Sequence, residues 1–143
     1  MPLRPDIVVT RPDSPEVLLV VEVEANVADQ KSADAALKSY MVHMSCPVGM
    51  LVDPEQVRFY RNRYTDYGPQ SVEMIGECPT GELLGALIPA DLERTVEEWL
   101  DSLRAGDDRS WPAAVSEAIE SSVLPVVSSG VVRAGGPRWR RTG

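Results

Sequence analysis

Val17 to Val23, VLLVVEV, constrains the fold more than any other stretch of the chain. The run is almost continuously β-branched or leucine, which suits a strand buried on both faces. Side chains alternate along a strand, so Glu22 and Glu24 project from the same face as Leu18 and Val20, while Leu19, Val21 and Val23 project from the other. Two carboxylates thus point the same way at the end of a hydrophobic strand, where burial is costly without a partner. Ile7 to Thr10 reads as a short strand after Pro5, and Pro12-Asp13-Ser14-Pro15 as the turn of a hairpin between the two. If these strands pair side by side, Asp6 joins the glutamates.

Beyond Glu24 the periodicity changes. Ala33, Ala36, Leu37, Tyr40, Met41 and Met44 recur at helical spacing, with Asp29 or Ser32 as N-cap and the helix ending before Pro47. Val48 to Val52 is a strand, Asp53-Pro54-Glu55 a turn, and Gln56 to Asn62 an alternating strand with Val57, Phe59 and Arg61 on one face. Tyr64 to Gln70 reads as a loop, and Ser71 to Gly76 as an edge strand. Leu92, Val96, Trp99, Leu100 and Leu103 form an amphipathic stripe with Asp91 as N-cap and Gly106 as stop. A last helix is expected from Trp111 to Val123, capped by Ser110, burying Trp111, Val115, Ala118 and Ile119. The faces of these two C-terminal helices suit either the sheet or a second subunit. This order gives an α/β domain with a mixed sheet flanked by helices.

The chain's 143 residues suffice for one domain with a modest core. Residues 1–128 are expected to form it, with the motif region at 4–63 and an acidic helical part at 89–124, followed by a basic, flexible tail at 129–143. Residues 64–128 carry 13 acidic against 3 basic side chains, and the whole chain has a net charge of −8. Nucleic-acid affinity depends on neutralising phosphates, so charge gives DNA only weak support as a partner. Local basic patches are the exception: Arg58, Arg61 and Arg63 in the middle, and Arg138, Arg140 and Arg141 around Trp139 in the tail. No run approaches the roughly 20 apolar residues of a membrane span, and MPLRPDIVV lacks a signal-peptide layout, which together predict a cytoplasmic protein with no membrane partner. Cys46 and Cys78 are expected as free thiols, and His43 as a surface side chain.

Taken together, Arg4-Pro5-Asp6-Ile7-Val8-Val9, Leu19-Val20-Val21-Glu22-Val23-Glu24, the helix carrying Tyr40, and Gly49-Met50-Leu51-Val52-Asp53 leading into Arg58-Phe59-Tyr60 resemble the PD-(D/E)XK nuclease superfamily. Within it the stretch is similar to the N-terminal nuclease domain of type I restriction enzyme R subunits and to small bacterial restriction endonuclease-like proteins. The resemblance implies a restriction endonuclease-like fold, N-terminally shortened, with two added C-terminal helices. It further implies Asp6 and Glu22 as ligands of Mg²⁺ or Mn²⁺, the carbonyl of Val23 as another, and Asp6, Glu22 and Glu24 as catalytic residues. Glu24 stands where the family places a lysine, and serves as a base or a further ligand. Where relatives supply the lysine from the helix, this chain has Ala36; Lys31 and Lys38 fall elsewhere.

Two functions follow. One is a Mg²⁺-dependent DNA phosphodiesterase of endonuclease type, active or degenerate. The other is a catalytically inactive domain of the same fold serving protein interaction or homo-oligomerisation. The helix and strand that the family places before the Asp strand would come from another chain, be replaced by the C-terminal helices, or be lost.

Overall fold

A computed structural model describes residues 5–24, 30–86, 88–106 and 110–134. Strands β1 (Ile7–Thr10) and β2 (Val17–Val23) form the expected hairpin, with Ile7 opposite Val21 and Val9 opposite Leu19. Helix α1 (Gln30–His43) then crosses to β3 (Val48–Val52), which runs parallel to β2. A tight turn returns the chain as β4 (Gln56–Asn62), and β5 (Val72–Pro79) follows antiparallel to it. The short α2 (Thr80–Leu84) and α3 (Leu92–Arg104) come next. After them α4 (Ala113–Ala118), a π-helical turn (Ile119–Val123) and α5 (Leu124–Ser129) join without a break. Strand β6 (Val131–Ala134) closes a six-stranded mixed sheet of order β5-β4-β3-β2-β1-β6.

The alternation read from β2 sorts the core into two layers. Leu19 and Val21, with Ile7, Met50 and Phe59, face the C-terminal helices, where Trp99, Leu100, Val115 and Ile119 complete one cluster. Val20, Leu51 and Tyr60 face α1, meeting Leu37 and Met41. A strand covered on both faces therefore needed a continuous apolar sequence, and β2 supplies it. The C-terminal helices bury their stripes on their own sheet, which settles the choice left open between the sheet and a second subunit.

Several boundaries differ from expectation for identifiable reasons. Ser32 lies inside α1 and does not cap it, and Asp29 falls outside the described residues. Met44 lies beyond the helix end and is 44% exposed, so the apolar stripe stops at Met41. Asp91 occupies the N-cap position of α3 without a capping bond, because its carboxylate pairs with Arg94 at 2.9 Å. Gly106 ends this helical segment as expected, with a left-handed φ of 81° that glycine adopts freely.

The last helical segment starts at Ala113, with Pro112 and not Ser110 at the N-cap, and Trp111 lies half-buried before it. It runs on past Val123 through Pro125 to Ser129. Pro125 has no N–H to give the preceding turn, and the π-helical turn before it loosens the ladder enough to carry the ring. The sheet then reclaims residues expected to be tail: Val131 to Ala134 pair antiparallel with β1, Ile7 facing Ala134 and Thr10 facing Val131. The sheet accordingly includes Val131–Ala134, and the Arg138–Arg141 patch lies outside the described residues.

Candidate functional site

The register that pairs Ile7 with Val21 places Asp6 beside Glu22 at the end of the hairpin. Two contacts hold Asp6 there: its N–H donates to the Val21 carbonyl at 3.2 Å, and its Oδ2 accepts the Val23 N–H at 2.8 Å. Asp6 thereby continues the ladder of β1 with its side chain as well as its backbone. Glu22 lies on the α1 face, aligned with Leu51 of β3, as the alternation from Val20 requires.

Glu22 is pushed up to about 8, first by loss of solvation, then by the charge of Asp6, a side-chain hydrogen bond with Asp6, and the charges of Glu24 and Glu93. Low-dielectric surroundings and nearby like charges both disfavour the carboxylate form. In the protonated state Glu22 donates to Asp6, while its Oε1 is buried without a hydrogen-bond partner. Among the described residues, the charges that raise Glu22 are all acidic: Asp6, Glu24 and Glu93.

Two adjacent carboxylates, one with an orphaned buried oxygen, fit a hard divalent cation. Mg²⁺ uses oxygen ligands and is held by one or two carboxylates with waters and phosphate oxygens. Among the described residues no group of three or more His, Cys, Asp and Glu gathers for a metal, so the pair would rely on backbone, water or substrate for its remaining ligands. Glu24 continues from β2, its N–H donating to the Val52 carbonyl at 2.7 Å, and contributes charge to the pair.

The other residues singled out from sequence take less active places. Lys38 pairs with Asp34 at 3.2 Å and lies 5.8 Å from the Tyr60 ring centre, and Lys31 is exposed on the first turn of α1. Ala36 and Tyr40 are half-buried on α1, with Tyr40 packed against the core on that face, and His43 is exposed. Cys46 is buried, its thiol donating to the Val48 carbonyl at 3.3 Å and pushed up to about 12 by desolvation, which makes it unreactive. Cys78 is a second buried free thiol. Arg58, Arg61 and Arg63 do not form one patch: Arg58 bonds Glu77, Arg61 reaches Ser122 on the opposite face at 3.0 Å, and Arg63 pairs with Glu73 at 2.9 Å. Strand alternation separates the first two, since their positions differ by an odd number.

Asp53 is the residue that sequence reading undervalued. It is 2% exposed; Oδ1 accepts the N–H groups of Glu55 and Gln56 at 2.7 and 2.8 Å, and Oδ2 accepts Gln30 Nε2 at 3.0 Å. One carboxylate thus shapes the β3–β4 turn and pins the start of α1. The available signal was Asp-Pro-Glu, whose first residue readily makes such a side-chain turn.

Comparison with models of known protein families, with curated proteins and with solved structures gives no match to this chain, so its function rests on the geometry of the carboxylate pair.

Proposed function

We propose that the chain is a Mg²⁺- or Mn²⁺-dependent DNA phosphodiesterase of endonuclease type, on a restriction endonuclease-like fold, with Asp6 and Glu22 as its metal-binding carboxylates. The observation that carries this reading is their juxtaposition on neighbouring strands, with Glu22 Oε1 buried and unpartnered. Element order supports it: an Asp strand, a Glu strand, a crossover helix and a parallel strand follow one another. On this reading strand β6, which pairs with β1, and the helices on the face opposite α1 would stand in for the helix and strand that the resemblance puts before the Asp strand.

An ion held there supplies a Lewis acid and a bound water of lowered pKa. Asp6, fixed by the Val23 N–H, and Glu22 would hold it, with the carbonyl of Val23 as a further ligand. Glu24, at the mouth of the strand, would accept the proton of the attacking water. Leu51, beside Glu22 in the sheet and 2% exposed, keeps water from the inner side of the pair.

The test has two readouts. Mg²⁺ or Mn²⁺ should raise the melting temperature of the wild type but not of Asp6→Asn, and wild type alone should cut plasmid DNA in either metal. Absence of both effects in the wild type would end this reading. A second reading, an inactive domain kept for protein interaction or oligomerisation, draws on the acidic charges of Asp6, Glu24 and Glu93 around Glu22 and on Glu24 in the lysine position. A metal-induced melting shift without cleavage would favour it.

A further inference from the structure

Arg58 stands in the same cross-sheet row as the carboxylate pair. Glu22 aligns with Leu51, Leu51 with Arg58, and Arg58 with Glu77, so all four side chains leave the α1 face of the sheet. Two strand spacings separate Glu22 from Arg58, roughly 10 Å. Above Arg58, between α1 and strands β4 and β5, lies a cleft of about 470 Å³ that includes Lys31, Lys38, Arg58 and Tyr60 with Asp34 and Glu77.

Charge distinguishes this cleft from two others. Its lining holds three cations against two carboxylates. A cleft on the opposite face balances Arg61 and Arg63 against Glu73 and Glu117, and a third, with Asp91, Glu93 and Arg94, is acidic. In a chain of net charge −8, a local cation excess in the row of a carboxylate pair marks where an anion can approach. The donors are also held in place beforehand. Tyr60 Oη donates to Asp34, Asp34 pairs with Lys38, and Arg58 bonds Glu77 through Nε and also bonds Tyr60, with further N–H groups of its five remaining as donors. Lys31 makes no ion pair among the described residues.

We propose that Lys31, Lys38 and Arg58 hold a backbone phosphate of a DNA strand that continues to the Asp6–Glu22 pair, an inference that rests on reading the pair as a phosphodiesterase site. Successive phosphates of one strand advance about 3.4 Å along the helix axis, so the separation corresponds to two or three nucleotides. Glu77 and Asp34 compete with the phosphate and restrain its affinity. The cleft supplies a cationic component beside the acidic groups, Asp6, Glu24 and Glu93, that act on Glu22.

Fluorescence anisotropy of a labelled single-stranded oligonucleotide in EDTA, across a salt series, tests this without cleavage. Lys31→Gln and Arg58→Gln should each weaken binding several-fold and reduce the salt slope by about 1. Glu77→Gln should tighten it by freeing Arg58, and Asp6→Asn should bind at least as well as wild type. Lys31 is exposed, so its variant tests the cleft without a burden on folding. Unchanged affinity and slope in Lys31→Gln and Arg58→Gln would overturn the proposal, as would binding of inorganic phosphate but not of the oligonucleotide, or no binding at low salt. The metal-induced melting shift, which these cleft variants should leave intact, reports separately on the carboxylate pair.

Discussion

Glu22 and Asp6 share a side-chain hydrogen bond across β1 and β2, and burial together with the Asp6 charge pushes the Glu22 carboxyl from 4.5 up to about 8. Between these values the folded chain holds a proton that the unfolded chain has released. This contribution to stability is full below pH 4.5 and is lost as pH rises through about 8. Glu22→Gln keeps the shape and removes the titration. In metal-free buffer the variant should melt above the wild type near pH 8.5, with its advantage shrinking toward pH 5. A variant that loses stability most at high pH would show that ionised Glu22 is stabilised in the fold.

Asp53 holds the β3–β4 turn and Gln30 with one carboxylate. Asp53→Ala leaves those donors without their charged acceptor and should cost about 2 kcal/mol in urea denaturation. Asp53→Asn keeps an acceptor oxygen for the turn and should lose less. Equal stability of Asp53→Ala and wild type would exclude this anchoring role.

Gly130 passes the chain from α5 into β6 through a space with no room for a side chain. A Cβ there would lie 2.5 Å from Val9 Cγ1, 2.8 Å from the Val126 carbonyl oxygen and 2.9 Å from that of Thr10. Two of these neighbours are backbone and cannot rotate away. Gly130→Ala should therefore destabilise by about 1–3 kcal/mol, as overpacking does, and loosen β6 from β1. Hydrogen exchange of the Val131–Ala134 amides reads the second effect; unchanged protection and melting temperature would contradict the docking of β6.

Trp99 is 2% exposed in the cluster that joins α3 to the sheet. Trp99→Ala should cost about 3–5 kcal/mol, and Trp99→Phe, which refills most of the volume, markedly less. Chemical denaturation of both compares them directly. A loss under 1 kcal/mol for the alanine variant would mean that α3 does not seal this face.

Much of the fold was legible because period-two and helical patterns report local burial. The bounds of β3 and β4 are those expected from Val48 to Val52 and Gln56 to Asn62, and the Trp99 stripe is buried as its spacing requires. Misplaced ends trace to features that patterns do not weigh. The last helix was expected to end at Val123, yet a π-helical turn carries it through Pro125 to Ser129. Val131 to Ala134 read as the start of a basic tail, because a four-residue strand has too few positions to show its period.

By itself, the sequence determined that VLLVVEV would lie inside a sheet with Glu22 on the same face as Val20, since alternation is a property of the extended backbone. It also determined the hairpin that brings Asp6 within reach, through the Pro12–Pro15 turn. Only the tertiary structure decided that Glu22 loses its solvent, that its Oε1 has no partner, and that Asp6, Glu24 and Glu93 surround it with like charge. Only the tertiary structure aligned Arg58 with that pair and gave Arg61, already parted from Arg58 by strand alternation, Ser122 as its partner. Register and desolvation depend on which strands and helices meet across long stretches of chain, and local residue patterns do not encode those meetings.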